Sequence, residues 1–377
     1  MLIISIAVIL LIVVRSFSRS FEKHGADKVV EKITISKNRI RAKESFEYEL
    51  QIQNVKLLIL PIINAIISIP YSFSYEVNNK KVGKKELVND ITKTIKITTS
   101  LLSYQQVRQK FTVTAMERGF FEIKTMISAQ DFLGLKSISL LSGHSDKVIV
   151  HPIAINYLFM NYDANSIQGE QLVRRWSNPD PIFYSGVREY TERDSLKDID
   201  WKASAKQNTL LVKKYDTTSD ESFMYFAMTH RSNRYENDYH TFVEDMISSI
   251  AYMMEDNQRN SIAYAFNTNL SMRNNMNKFH LPALGSHHLM EQLDTLACAT
   301  IIPDYTPVSY LSDKIDLIDK KCTLIFYYYS LEEDDVRLLN QLMKMGYMVK
   351  VLIHRESDAH VLPQIETLLF KGGDYHA

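Results

Sequence analysis

The hydrophobic period changes partway along this chain, and that change limits the possible fold more than any other feature. From about Val29 to His151, apolar residues recur at every second position in short runs: LysIleThrIleSer at 32–36, PheGluTyrGluLeuGlnIle at 46–52 and PheThrValThrAla at 111–115. Successive side chains of a strand point to opposite faces, so period two predicts half-buried strands. Hydrophilic breaks from Asn78 to Lys85 and from Ser142 to Asp146 separate the runs, which predicts an antiparallel β-sandwich of about seven strands over residues 25–151. Gly119 and Gly134 are natural turn residues within it.

Later in the chain the pattern alternates between strand and helix. SerPheMetTyrPheAla at 222–227, SerIleAlaTyrAlaPhe at 261–266, CysThrLeuIlePheTyrTyrTyr at 322–329 and MetValLysValLeuIle at 348–353 read as buried strands. Between the first two, Phe242, Val243, Met246, Ile247, Ile250, Ala251 and Met254 form one face of a long amphipathic helix. Val336, Leu339, Leu342 and Met343 form another, opened by a capping box from Ser330 to Glu333 and closed by Gly346. Strand, helix and strand at these lengths predict a mainly parallel sheet over 215–377. Residues 152–184, with ProAspPro at 179–181, carry no such pattern and read as a connector.

The N-terminus differs from both regions. Met1 to Val14 is apolar except for Ser5, and a helix reaching Phe17 is about 25 Å long against a hydrocarbon core of about 30 Å. No basic leader or small-residue cleavage site accompanies it, so residues 1–17 read as an uncleaved transmembrane anchor rather than a signal peptide. Arg15, Arg19 and Lys23 follow the run, and the positive-inside rule then places the bulk of a single-pass protein on the cytoplasmic side of the cell membrane. Lys plus Arg and Asp plus Glu are each 44 among 377 residues; this balance offers no electrostatic case for binding nucleic acid. Cys298 and Cys322 have no CxxC spacing and read as buried thiols of a reducing compartment.

Charged residues and a tryptophan are most densely interleaved in the segment 185–214, SGVREYTERDSLKDIDWKASAKQNTLLVKK. Asp194 and Ser195 are candidate helix caps, and Asp198 lies three residues beyond Ser195. A short helix from about Leu196 to Ala205 is expected, with Ile199 and Ala203 on its buried face and Lys197, Asp198, Lys202 and Lys206 outward. LeuLeuVal at 210–212 reads as the following strand.

The run SerGlyValArgGluTyr, followed by Asp194, IleAspTrpLysAlaSerAla at 199–205 and LeuLeuVal at 210–212, resembles the signature of the bacterial domain of unknown function family 58. Arg193, Ser195 and GlnAsnThr at 207–209 depart from that pattern. ArgGlyPhePheGluIle at 118–123 and AspPheLeuGlyLeu at 131–135 are similar to further landmarks of the family. The resemblance implies an α+β multi-domain protein in which a membrane anchor and a β-rich region precede a von Willebrand factor type A-like α/β domain. It also implies a partner, since such proteins are often encoded beside MoxR-type AAA ATPases. The family's activity is unknown.

A metal-binding type A domain holds Mg2+ with an Asp-x-Ser-x-Ser loop after its first strand. Here that loop reads AlaMetThrHisArgSer at 227–232. Ala227 stands at the carboxylate position and Arg231 adds a positive charge, so Thr229 and Ser232 are expected to mark a degenerate site without metal. His287 and His288 have no ligand partner at suitable spacing and read as a helix start. No cofactor-binding loop or nucleophile motif occurs in the sequence.

These readings converge on a membrane-anchored, non-catalytic interaction or scaffold protein that meets the bilayer through residues 1–17. Its expected partner is a MoxR-type AAA ATPase or another envelope-assembly protein, and its candidate contact residues are Arg188, Glu189, Tyr190, Asp194, Asp198, Asp200, Trp201 and Lys202. The alternative is an envelope-associated hydrolase acting through Glu192, Asp194, Asp198 and Asp200. Interleaved Arg188, Arg193, Lys197 and Lys202 make salt-bridged or solvated carboxylates the simpler reading.

Overall fold

The computed structural model describes residues 2–77, 83–88, 92–134, 136–157, 184–190, 199–207, 209–215, 222–355, 358, 362 and 364–370. The chain divides into two compact units, Met1–Pro152 and Ile153–Ala377.

The first unit begins with helix α1 (Leu2–His24). It is longer than the expected anchor over 1–17, because Phe17 and Phe21 continue its apolar face onto the following domain. Phe21 is fully buried there, and Phe17 lies 4.8 Å from the Phe132 ring between centroids. Among the described residues no helix is long and apolar enough to cross a membrane.

Strands β1 (Val29–Ile35), β2 (Arg39–Arg41), β3 (Ser45–Asn54), β4 (Leu60–Pro70), β5 (Phe73–Val77), β6 (Gly83–Val88), β7 (Thr92–Leu101), β8 (Gln106–Ala115), β9 (Gly119–Gln130) and β10 (Ser137–His151) follow. They form a four-stranded sheet in the order β1-β3-β8-β5 and a six-stranded sheet in the order β2-β10-β9-β4-β7-β6. The β-sandwich is therefore present with ten described strands rather than about seven. Long runs such as 60–70 and 92–101, with few acidic residues and little alternation of charge, carry weaker period-two signals than β3. The pairing is antiparallel except where β2 meets β10 in parallel. The alternation does what period two dictates: Phe46, Tyr48, Leu50 and Ile52 of β3 share one core with Ile63, Ala65, Ile67 and Ile69 of β4. Tyr48 and Thr125 join the two sheets by a buried hydroxyl–hydroxyl hydrogen bond of 2.6 Å.

In the second unit, β11 (Tyr184–Glu189) and β12 (Leu211–Tyr215) pair antiparallel around helix α2 (Trp201–Gln207). The remaining strands and α-helices among the described residues are β13 (Ser222–Met228), α3 (Tyr239–Arg259), β14 (Ala263–Thr268), β15 (Leu270–Met272), α4 (Ser286–Cys298), β16 (Ala299–Pro303), α5 (Pro307–Leu311), β17 (Cys322–Tyr328), α6 (Glu333–Lys344), β18 (Met348–Ile353) and β19 (Glu366–Leu369). Five of the strands form a wholly parallel sheet in the order β14-β13-β17-β18-β19. Both of its faces are covered, as parallel sheets require. Phe223, Tyr225 and Ala227 of β13 pack with α3 and α4, whereas Met224, Phe226 and Met228 pack with α5 and α6. Phe226 stacks on Phe326 of the neighbouring strand at 4.7 Å. Cys298 and Cys322 are buried and not joined in a disulfide.

Helix α6 is capped differently from the expectation. Glu332 and Asp335 form its capping box, while the Ser330 hydroxyl donates instead to Asn233 Oδ1 at 2.9 Å. The spacing rule was right and its register was two residues early, because Ser330 lies in the loop that leaves β17 and bonds Asn233 instead. Gly346 ends the helix at a φ of 91°, a left-handed value that glycine adopts without steric cost.

Candidate functional site

Among the described residues of the second unit, two places concentrate polar side chains: the hairpin of segment 185–214 and the crevice at the carboxyl ends of the parallel strands. In the hairpin, α2 starts at Trp201, not near Leu196. Ile199 precedes the helix and pairs with Val212 through an isolated antiparallel bridge, so its burial comes from strand pairing and not from a helix face shared with Ala203. Asp200 is the capping residue. Its Oδ1 accepts the backbone N–H of Lys202 at 3.1 Å and of Ala203 at 3.0 Å, two of the donors a helix start leaves without internal partners. Ser204 ties the helix to the next strand: its hydroxyl donates to Asp200 O at 2.7 Å and accepts Leu211 N–H at 2.9 Å.

This arrangement leaves Trp201 68% exposed, with Lys202 and Lys206 exposed beside it and Tyr190 half-buried. Arg188 and Glu189 lie on β11, paired with Val212 and Leu211. Asp194 and Asp198, with Glu192 and Ser195, lie outside the described residues, as does most of the connector. Of the candidate contact residues, Arg188, Glu189, Tyr190, Asp200, Trp201 and Lys202 belong to one small hairpin-and-helix module.

The second place is set by topology. From β13 the chain passes to β14 on one side, and β17 then joins β13 on the other. The carboxyl ends of β13 and β17 therefore flank a switch point, where the connecting loops diverge and leave a crevice. A cleft of about 460 Å³ opens there, lined by His230, Arg231, Ser232, Asp304, Tyr305 and Glu332, among others. The loop Ala227–Ser232 forms part of its wall through His230, Arg231 and Ser232. The carbonyl of Ala227 accepts the Thr268 hydroxyl at 2.9 Å. Thr229 gives its N–H to Asn269 Oδ1 at 3.1 Å and receives the Asn269 amide on its carbonyl at 2.7 Å. Arg231 reaches the carbonyls of Pro303 and Asp304 at 3.1 and 3.3 Å, and Ser232 lines the cleft. Among the described residues no three His, Cys, Asp or Glu side chains converge as metal ligands.

His230 is the residue that reading the sequence passed over. It is 6% exposed, and Nε2 lies 2.6 Å from Oδ2 of the fully buried Asp335, with Nδ1 3.4 Å from Glu332 Oε1. Burial works against its charged form, but the hydrogen bond and charge of Asp335, aided by Glu332, outweigh burial and raise its pKa above 6.5. The same Asp335 carboxylate accepts Glu332 N–H at 2.9 Å, so one buried group caps α6 and holds the loop after β13. A second pair stands nearby along the same sheet edge. Asp238 accepts the Tyr329 hydroxyl at 2.5 Å and pairs with His354 Nε2 at 2.8 Å. Those bonds lower its pKa despite partial burial, while Tyr329, by burial and by the adjacent carboxylate, is pushed up to about 12. Arg355 Nη2 completes the row with Glu236 at 2.6 Å. His230 and Asp335 are 105 residues apart; only the parallel sheet brings them together. His288, read as part of a helix start, bonds the Tyr264 carbonyl at 2.7 Å and is half-buried.

Chemically, the crevice presents fixed, neutralised pairs and a guanidinium held by two carbonyls. The hairpin presents an aromatic ring to solvent from a capped helix.

No protein-family model matches the chain, and no curated protein matches it. Among solved structures it is similar to a cohesin module from a Clostridium perfringens family 33 glycoside hydrolase, with 14% identity over 32% of this chain and 97% of that one, at a TM-score of 0.25. A non-cellulosomal cohesin from Archaeoglobus fulgidus matches with 13% identity over 32% of this chain and 90% of that one, at a TM-score of 0.24. The CARDB domain of a Pyrococcus furiosus protein matches with 15% identity over 32% and 91%, at 0.22. Scores this low carry no statement about what this chain does.

Proposed function

We propose that this chain is a membrane-anchored, non-catalytic interaction protein whose α/β unit docks a partner protein through the signature hairpin. The observation that carries this reading is Trp201, 68% exposed at the first position of a helix whose amino end Asp200 caps. An indole left in water loses the transfer free energy its burial would yield, and tryptophan on a rigid element loses little side-chain freedom when a partner covers it. The partner expected from the resemblance of segment 185–214 is a MoxR-type AAA ATPase or another envelope-assembly factor, and the α/β unit corresponds in this reading to the von Willebrand factor type A-like domain. The hydrolase alternative loses support at Asp200, whose Oδ1 is committed to two backbone amides rather than directed at a substrate.

The anchor in this reading is the amino-terminal part of α1. Ile6, Val8, Ile9, Leu10, Ile12 and Val13 are each more than half exposed, a stripe that hydrocarbon would cover at about 25 cal/mol per Å². From Leu2 to Val14 the helix rises about 20 Å, short of a full core, so local thinning and snorkelling by Arg15 and Arg19 complete the insertion. The basic flank puts the bulk of the chain in the cytoplasm.

The test is affinity purification of the tagged, detergent-solubilised protein from its native host, comparing wild type with Trp201→Ala by mass spectrometry. An AAA ATPase that co-purifies with wild type and is absent from the variant supports the reading. A variant that folds and retains every partner removes the hairpin from the interface.

A further inference from the structure

Where α1 meets the sandwich, it shares a cavity of about 480 Å³ with the β9–β10 turn, walled by Arg15, Arg19 and Lys136, by Glu22 and Asp131, and by Val14, Ser18 and Leu133. The acidic groups there are already engaged. Glu22 pairs with Lys136 at 3.0 Å, and Asp131 accepts the Ser18 hydroxyl at 2.7 Å and the Lys136 N–H at 3.3 Å. Arg15 and Arg19 are different: neither has a carboxylate partner among the described residues. They are one helical turn apart and so share a face of α1, within reach of one anion. The turn itself carries Phe132 and Leu133, 57% and 59% exposed, and Phe132 is fixed against Phe17. Gly134 turns the backbone there at a φ of 68°.

We propose that this cavity is a binding site for the headgroup of an anionic phospholipid, with the phosphate held by Arg15 and Arg19 and the acyl chains leaving along Val14, Leu133 and Phe132. The proposal rests on the anchor reading above. Its geometry is that of a membrane interface. The exposed apolar stripe of α1 ends at Val13, two guanidiniums without a carboxylate partner among the described residues follow, and an apolar hairpin tip stands at the same level. Snorkelling arginines and interfacial aromatic residues occupy this depth for the same physical reason, an apolar body joined to a polar end. The ion pair of Lys136 with Glu22 and the bond of Ser18 to Asp131 pin the helix to the turn, so the two arginines need little reorganisation to close on a phosphate.

The test uses the full chain in a nonionic detergent micelle and native mass spectrometry to count bound lipid. Phosphatidylglycerol, phosphatidylcholine and inorganic phosphate are titrated in separate arms. Wild type is expected to retain phosphatidylglycerol, and Arg15→Gln/Arg19→Gln to bind it about 30-fold more weakly, the effect of removing two cationic contacts to an anionic lipid. Leu133→Ser is expected to weaken lipid binding without creating phosphate binding. Equal retention of phosphatidylcholine, or unchanged binding by the double arginine variant, overturns the proposal. Inorganic phosphate bound as tightly as the lipid also overturns it, by making the site one for a free anion. Alkaline carbonate extraction of native membranes tests the anchor separately: release of the wild-type protein ends the anchor reading, whereas the micelle titration still reports on the lipid site.

Discussion

Replacing Asp335 with alanine should destabilise the α/β unit by about 4–6 kcal/mol, the sum of two losses. Asp335 is fully buried and 2.6 Å from His230, itself 6% exposed; removing one member of such a pair strands the other and costs about 3–5 kcal/mol. The same carboxylate accepts Glu332 N–H in the capping box of α6, and its loss adds about 1 kcal/mol. Glu332 also faces His230, but its side chain is 56% exposed, so it compensates by less than about 1 kcal/mol. The pH dependence has a definite sign. His230 holds its proton more tightly folded than unfolded. Its stabilisation is therefore fully present below the unfolded value of about 6.5 and is lost as pH rises through the raised folded value. Hydrogen exchange with mass spectrometry in increasing urea, read on peptides from β17 and α3 of the full-length protein, isolates this unit. The gap between wild type and His230→Gln should be widest near pH 6 and should narrow as pH rises. A cycle with Asp335→Ala and the double variant should give a coupling of about 2 kcal/mol. A gap that widens as pH rises, or effects that add to within about 0.5 kcal/mol, would refute the reasoning.

Asp200→Ala should cost α2 about 1 kcal/mol, visible as faster exchange of the Lys202 and Ala203 amides, with exchange in β13 and β17 unchanged. Gly346→Ala has open space for its new methyl group but must hold a φ of 91°; about 1–2 kcal/mol of destabilisation is expected from backbone strain alone, measurable as a lower urea midpoint for α6 peptides. Tyr329→Phe removes the main cause that lowers the Asp238 pKa, so carbon-detected NMR of labelled aspartate should show Asp238 titrating at higher pH. The acid-side stability that Asp238 contributes, present above its unfolded pKa and lost as pH falls through the folded one, should shrink accordingly.

Much of the architecture was legible from residue order because local physics specifies it. Period two in 46–52 required one face of β3 to be buried, and the run 322–328 had no polar face to offer water. The amphipathic stripe from Phe242 to Met254 similarly predicted α3. Boundaries were less legible. The helix expected from Leu196 begins at Trp201, and the capping box expected at Ser330 and Glu333 sits at Glu332 and Asp335, because several neighbouring residues have cap chemistry and tertiary contacts choose among them.

The sequence by itself determined a β-sandwich followed by a mainly parallel sheet, since side-chain periodicity and turn chemistry act over a few residues. It also showed that the Ala227–Ser232 loop lacks a carboxylate. Only the tertiary structure decided which distant groups meet: His230 with Asp335, Asp238 with Tyr329 and His354, and Arg15 and Arg19 with the Phe132–Leu133 turn. Such pairs are set by strand order and helix docking, which depend on the whole core. A single histidine or arginine in a sequence carries no signal of the partner, 100 residues away, that the fold will place against it.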